Sequence, residues 1–138
     1  MARIIIADDD AIVVEIIRDT LEGGGHVIGA LPDGQDVARV TDLKRPNLVI
    51  LDLSMPGKSG IDALRDIRLS PVSFNTPVLI LTGAQHKANE DIAMRAGANG
   101  YLRKPFDPDE LLSIVGLMLS NFSRCHEAGV KSQVRFAG

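Results

Sequence analysis

Six side chains in this sequence could do chemistry as a group. They are the consecutive carboxylates Asp8, Asp9 and Asp10, the isolated carboxylate Asp52, the hydroxyl of Thr82 and the ammonium of Lys104. Asp8 follows the apolar run Ile4 to Ala7, Asp52 follows Leu48 to Leu51, and Thr82 follows Val78 to Leu81. Lys104 comes just after the weaker run Gly100 to Leu102. Carboxylates gathered in one pocket repel each other unless a cation joins them. Mg²⁺ suits such a pocket, because it is hard, prefers oxygen, and accepts one or two carboxylates plus phosphate oxygens and water. A carboxylate held beside Mg²⁺ can attack a phosphoryl group and become an aspartyl phosphate. The equatorial oxygens then need neutralising, which Lys104 and the Thr82 hydroxyl could share with the cation.

For these residues to meet, the chain must bring the ends of its apolar runs together. The three strong runs are continuous rather than alternating, as strands are when both faces of a parallel sheet are covered. His26 to Leu31 and Gly100 to Leu102 complete a set of five. Helical patterns lie between them. Asp10 can N-cap a first helix over Ala11 to Glu22, which Gly23, Gly24 and Gly25 end. A second helix starts after Asp33-Gly34 and stops before Pro46. A third covers about Gly60 to Leu69, and a fourth runs from Lys87 to Ala96 and stops at Gly97. A fifth opens at Pro108 and reaches about Asn121. This alternation predicts a doubly wound α/β sheet with right-handed crossovers. In such sheets ligands sit beyond the carboxyl ends of the strands, and neighbouring strands are only ~5 Å apart. Residues 1–121 are expected to form one domain. Residues 122–138 lose periodicity and read as a flexible tail, too short for a DNA-binding output domain.

The bulk composition narrows the function classes. The chain has 138 residues, of which 45% are hydrophobic and 24% charged, the balance of one ordinary globular domain. Its net charge of -3 argues against nucleic-acid binding, which needs clustered Lys and Arg. The single cysteine, Cys125, excludes an internal disulfide and fits a reducing cytosol. The run after Met1 is too short for a signal-peptide core, and no span reaches the ~20 apolar residues of a membrane helix. A cytoplasmic location is the expectation.

The runs IIIADDD, LVILDLSMPGKSG, VLILTG and GYLRKPF resemble the four signatures of the receiver domains of response regulators, the chemotaxis-regulator type of two-component signalling. The resemblance covers about residues 3 to 121. It implies a flavodoxin-like (βα)5 fold with the sheet in order 2-1-3-4-5. It also implies residue roles. Asp52 matches the phosphoacceptor, Asp9 the direct Mg²⁺ ligand, Asp8 its neighbour acting through water, and the Ser54 carbonyl the third protein ligand. Lys104 matches the lysine that pairs with the phosphoryl group, Thr82 the switch hydroxyl and Tyr101 the aromatic switch. Pro105 matches a proline that follows a cis peptide from Lys104. The partners implied are a histidine kinase or histidine phosphotransfer protein and a downstream protein target, with homodimerisation on phosphorylation. The implied protein is a single-domain phosphoacceptor rather than a turnover enzyme.

Blander readings stand beside these. Asp10 reads as a helix cap rather than a ligand. His26, His86 and His126 lack ligand spacing and read as structural or exposed, and Cys125 as an unreactive thiol. Tyr101 could be a packed edge aromatic, although a switch role has its ring turning from solvent toward the core. The apolar residues of the first helix spread over about 200°, roughly twice a core-facing stripe. Val13, Ile17 and Leu21 should face the sheet. Ile12 and Ile16 are then either a deeply seated edge or a docking stripe for the phosphodonor. The fifth helix has a similarly wide arc, from Leu111 to Leu119, which marks the fourth helix, fifth strand and fifth helix as the output face. Two other classes share the chemistry. A Mg²⁺-dependent phosphatase of the haloacid-dehalogenase type also uses an aspartyl nucleophile, but on its first strand as Asp-x-Asp. A flavin binder would need a hydroxyl-rich phosphate loop where Asp8 to Asp10 stand.

Overall fold

The computed structural model describes residues 1–83 and 87–128. Its strands are β1 (Arg3–Ala7), β2 (Val27–Leu31), β3 (Leu48–Asp52), β4 (Val78–Gly83) and β5 (Gly100–Lys104). They alternate with α1 (Ala11–Gly23), α2 (Val37–Lys44), α3 (Gly60–Leu69), α4 (Lys87–Ala96) and α5 (Pro108–Ala128). All strand pairs are parallel and the order is β2-β1-β3-β4-β5. This is the doubly wound arrangement expected from the alternating pattern, in the flavodoxin-like strand order that the resemblance implies. Among the described residues no helix is long and apolar enough to cross a membrane.

Alternate residues of each strand feed two cores, one on each face of the sheet. Ile4, Ile6 and Ile50 join Ile17 and Leu21 of α1 and Leu111, Ile114 and Val115 of α5. Ile5, Val49 and Leu51 join Leu64 and Ile67 of α3 and Ala93 of α4 on the other face. Full burial of each large aliphatic side chain is worth about 1.5–3 kcal/mol. Covering both faces explains why the central strands read as unbroken apolar runs.

The register aligns the strand ends that matter. Ala7 pairs with Leu51, Asp52 with Leu81, and Gly83 with Lys104. The residues just past Ala7, at Asp52 and around Thr82 and Lys104 therefore share one edge of the sheet. Helix ends are set locally. Gly97 follows α4 with φ +112°, and Arg68 fills the space beneath it, donating to the Gly97 carbonyl through Nε at 2.9 Å and Nη2 at 2.8 Å.

Three element boundaries differ from the sequence reading. β2 begins at Val27 rather than His26, whose Nδ1 accepts the Ala2 N–H at 3.1 Å and holds the strand's entry. α2 begins at Val37 rather than just after Gly34, because Asp33 Oδ1 accepts the Gln35 N–H and spends those residues on a turn. α5 runs to Ala128, beyond the Asn121 expected as its end. No Gly or Pro interrupts positions 121–128, so backbone hydrogen bonding continues where the apolar pattern has stopped. The tail reading for residues 122–128 is corrected to helix. Residues 129–138, His86 and the side chains of Cys125 and His126 lie outside the described residues.

Candidate functional site

The acid run after β1 divides into three roles. Asp8 is buried and points inward. Its Oδ1 accepts the Asp10 N–H at 2.9 Å, and its Oδ2 accepts from Lys104 Nζ at 3.0 Å. Asp9 is exposed, yet one of its carboxylate oxygens lies within 4.8 Å of oxygens of Asp8 and Asp52. Asp10 turns away and caps α1, accepting from the N–H groups of Ile12 at 3.0 Å and Val13 at 3.3 Å. The sequence expectation of a cap at Asp10 is what the geometry gives.

Asp52 ends β3 and is buried to 7% exposure. The chain beyond it turns back so closely that a Cβ on Gly60 would sit 2.3 Å from the Asp52 carbonyl oxygen. Only glycine allows the start of α3 to pass there. Burial first, then the charge of Asp8, pushes the Asp52 carboxyl from an ordinary 3.8 up to about 6, against the opposing pull of Lys104. Lys104 Nζ stands 3.3 Å from Asp52 Oδ1 as well as bonding Asp8. Burial lowers its ammonium, but the hydrogen bond to Asp8 and the fields of both acids outweigh that and leave it raised. One lysine thus serves two buried carboxylates, with a third beside them. Three carboxylates against one ammonium leave the pocket short of positive charge. The peptide from Lys104 to Pro105 is cis, as expected.

Thr82 is fully buried on β4, and its hydroxyl donates to its neighbour's carbonyl, Gly83 O, at 3.2 Å. Ser54 is exposed, two residues beyond Asp52. Tyr101 is 8% exposed and belongs to the core beneath α3 and α4. The packed reading of Tyr101 is the one the structure gives, and the expected turning of the ring from solvent toward the core is corrected: the ring is already inside. Arg103 covers it, its guanidinium carbon 6.0 Å from the ring centroid. Ile12 and Ile16 are 71% and 44% exposed, whereas Ile17 and Leu21 are fully buried, so the first two do not belong to the core.

Two features of the site's surroundings were not legible in the sequence. Arg103 on β5 bonds the buried Glu90 of α4 through Nε at 2.7 Å and Nη2 at 3.2 Å. Among the described residues, Arg68 directs its guanidinium only at carbonyl-type oxygens: those of Gly97, Phe74, Thr76 and the Asn99 side chain. Burial lowers that guanidinium to about 10. Neither partnership has a local spacing signal, because each joins residues on different elements.

The chain's relatives have the same architecture. Residues 4–116 match the response regulator receiver domain. The transcriptional regulatory protein PdtaR of Mycobacterium tuberculosis is 34% identical over 121 residues, covering 87% of this chain and 58% of that protein. This chain therefore spans little more than half the length of that curated relative. Among solved structures, the chemotaxis protein CheY4 of Vibrio cholerae superimposes with a TM-score of 0.80 at 26% identity, over 86% of this chain and 98% of that one. The receiver domain of the sensor histidine kinase PA1611 from Pseudomonas aeruginosa, which has a magnesium ion coordinated in its active-site cleft, gives a TM-score of 0.80 at 25% identity over 86% and 98%. This chain belongs to the response regulator receiver domain family of two-component signalling.

Proposed function

We propose that Asp52 accepts a phosphoryl group from a histidine kinase or histidine phosphotransfer protein, with Mg²⁺ in the acid cluster, and that this changes the domain's protein contacts. One observation carries the reading: oxygens of Asp8, Asp9 and Asp52 converge within 4.8 Å, with Lys104 Nζ 3.3 Å from Asp52. The donor set fits a hard divalent cation, since it consists of carboxylate oxygens with a deficit of positive charge. Asp9, Asp52 and the Ser54 carbonyl would hold the ion directly and Asp8 through water. When bound, it would supply charge neutralisation for the phosphoryl oxygens.

The residues' own parts follow from their positions. An Asp52 carboxylate oxygen attacks phosphorus while the bond from phosphorus to the donor's imidazole nitrogen breaks, and the donor histidine, protonated on its other ring nitrogen, leaves as neutral imidazole. Lys104 exchanges its contact with Asp52 for one with the phosphoryl oxygens. The Thr82 hydroxyl leaves the Gly83 carbonyl and donates to a phosphoryl oxygen, drawing the end of β4 inward. The product hydrolyses slowly, so the chain acts as a phosphoacceptor and not as a turnover enzyme. A downstream protein reads the α4–β5–α5 face, and a phosphorylation-dependent homodimer could use the same face. The phosphatase alternative finds no support, since the nucleophile candidate stands on β3 and the chain matches the receiver family.

Acetyl phosphate and Mg²⁺ test the assignment by intact mass. The native chain should gain one phosphoryl mass and the Asp52→Asn variant none. Equal labelling of the variant would overturn it.

A further inference from the structure

We propose that a cavity between β2 and α2, lined by none of the acid-cluster residues, binds a small organic anion with a compact apolar body, of the medium-chain or aromatic carboxylate class. α2 has only eight residues, and of these only Val37 and Thr41 are buried. It leaves the outer part of the sheet uncovered: Val27 of β2 is 53% exposed, and a Cβ on Gly29 would meet nothing within 4 Å. The result is a cavity of about 280 Å³. Its floor includes Ile5, Val27, Gly29 and Leu31, and α2 contributes Val40. The volume lies just below the ~300 Å³ at which pockets for drug-sized ligands begin, so the occupant is small.

Charge selects the occupant. Arg3 and Lys44 both line the cavity, at the end where β1 and β2 begin. Neither forms an ion pair among the described residues. Two cations without acids beside an aliphatic floor complement a ligand with one anionic end and one apolar end. Leu31, which lines the cavity, also accepts the Asp8 N–H with its carbonyl at 3.2 Å, so the cavity adjoins the backbone of the acid cluster.

Octanoate is the probe, titrated into the ¹⁵N-labelled full chain without Mg²⁺. Saturable amide shifts centred on Val27, Gly29, Leu31 and Val40 are expected, with a dissociation constant on the order of 1 mM for so small a ligand. Gly29→Phe projects into open space and fills the cavity. It should weaken binding at least about tenfold, with the thermal midpoint and the remaining amide spectrum preserved. Replacing Arg3 and Lys44 together with Gln should weaken octanoate about three- to tenfold and leave neutral octanol unaffected. Unchanged octanoate binding in Gly29→Phe, octanol binding as tight as octanoate to the native chain, or shifts confined to the Ile12 and Ile16 stripe would overturn the proposal. So would concentration-dependent shifts of β2 without octanoate, because the strand edge would then be pairing with a second copy.

Discussion

Lys104 on β5 reaches across the sheet to Asp8 beyond β1, Nζ to Oδ2 at 3.0 Å, although 96 residues separate them in the chain. The same ammonium faces Asp52 at 3.3 Å, so the pocket holds more acid than base. Stability should reflect this. The Asp52 carboxyl titrates at about 6 when folded, against 3.8 ordinarily, so between those values the folded chain holds the proton that the unfolded chain has lost. Stability attributable to this group is therefore full below about pH 3.8 and declines as pH rises through 6. In metal-free buffer at pH 7–8, Asp52→Asn should raise stability by on the order of 2 kcal/mol, with the gain vanishing toward pH 4. Urea melts at both pH values check it.

The acid run makes separable predictions. Asp10→Ala removes the acceptor of two N–H groups at the start of α1 and should cost about 1 kcal/mol while leaving Mg²⁺ affinity nearly intact. Asp9→Ala should leave stability close to native and reduce Mg²⁺ affinity at least about tenfold, because its carboxylate is exposed and stands in the cluster. Isothermal titration of Mg²⁺ into both variants separates them. Equal losses of affinity would place the ligand one residue away.

Ile12 and Ile16 should matter to a partner and not to the core. Changing both to Ser should shift stability by only about 0.5 kcal/mol, as at ordinary exposed positions. Transfer from the phosphodonor protein should slow several-fold, while labelling by acetyl phosphate continues at the native rate. Parallel loss of both activities with a lowered thermal midpoint would return these residues to the core.

Coupling out of the pocket should run through Thr82. Beryllofluoride mimics the aspartyl phosphate and should shift amides over residues 82–104, populating the other packing of a two-state element. Since Tyr101 is already inside, the change should register at its Arg103 cover and the Arg103–Glu90 pair rather than as burial of the ring. Thr82→Ala should shrink the shifts in β5 and α4. An unaltered shift pattern would mean that the coupling takes another route.

Arg68 supplies a prediction about the scaffold. Arg68→Met would take the guanidinium donors from the carbonyls of Gly97 and Thr76, while the Asn99 side chain keeps the Val78 N–H, and should cost about 2–3 kcal/mol. Lys at this position should recover only part of the loss, because an ammonium cannot reproduce the planar fork. Chemical denaturation of the three proteins is sufficient to rank them.

The sequence by itself determined the element order and the identity of the acid pocket. Ile4 to Ala7 and Leu48 to Leu51 are unbroken because both faces of their strands are covered, and that pattern is local. The positions of Asp8, Asp9, Asp52, Thr82 and Lys104 at strand ends follow from the same local pattern, and so does the cap at Asp10. Tertiary structure decided what depends on contacts between distant elements. Tyr101 lies in the core it shares with Leu64 and Ile67 of α3 and Ala93 of α4, and that packing decided between the packed and turning readings a tyrosine on a short strand leaves open. The pairing of Arg103 with Glu90 and the carbonyl cradle of Arg68 join residues whose spacing carries no period. The length of α5 past Asn121 is set by backbone hydrogen bonding, which needs no apolar stripe to continue. The open cavity over β2 exists because α2 is short and seated on two buried side chains, a matter of where a helix rests rather than of which residues compose it.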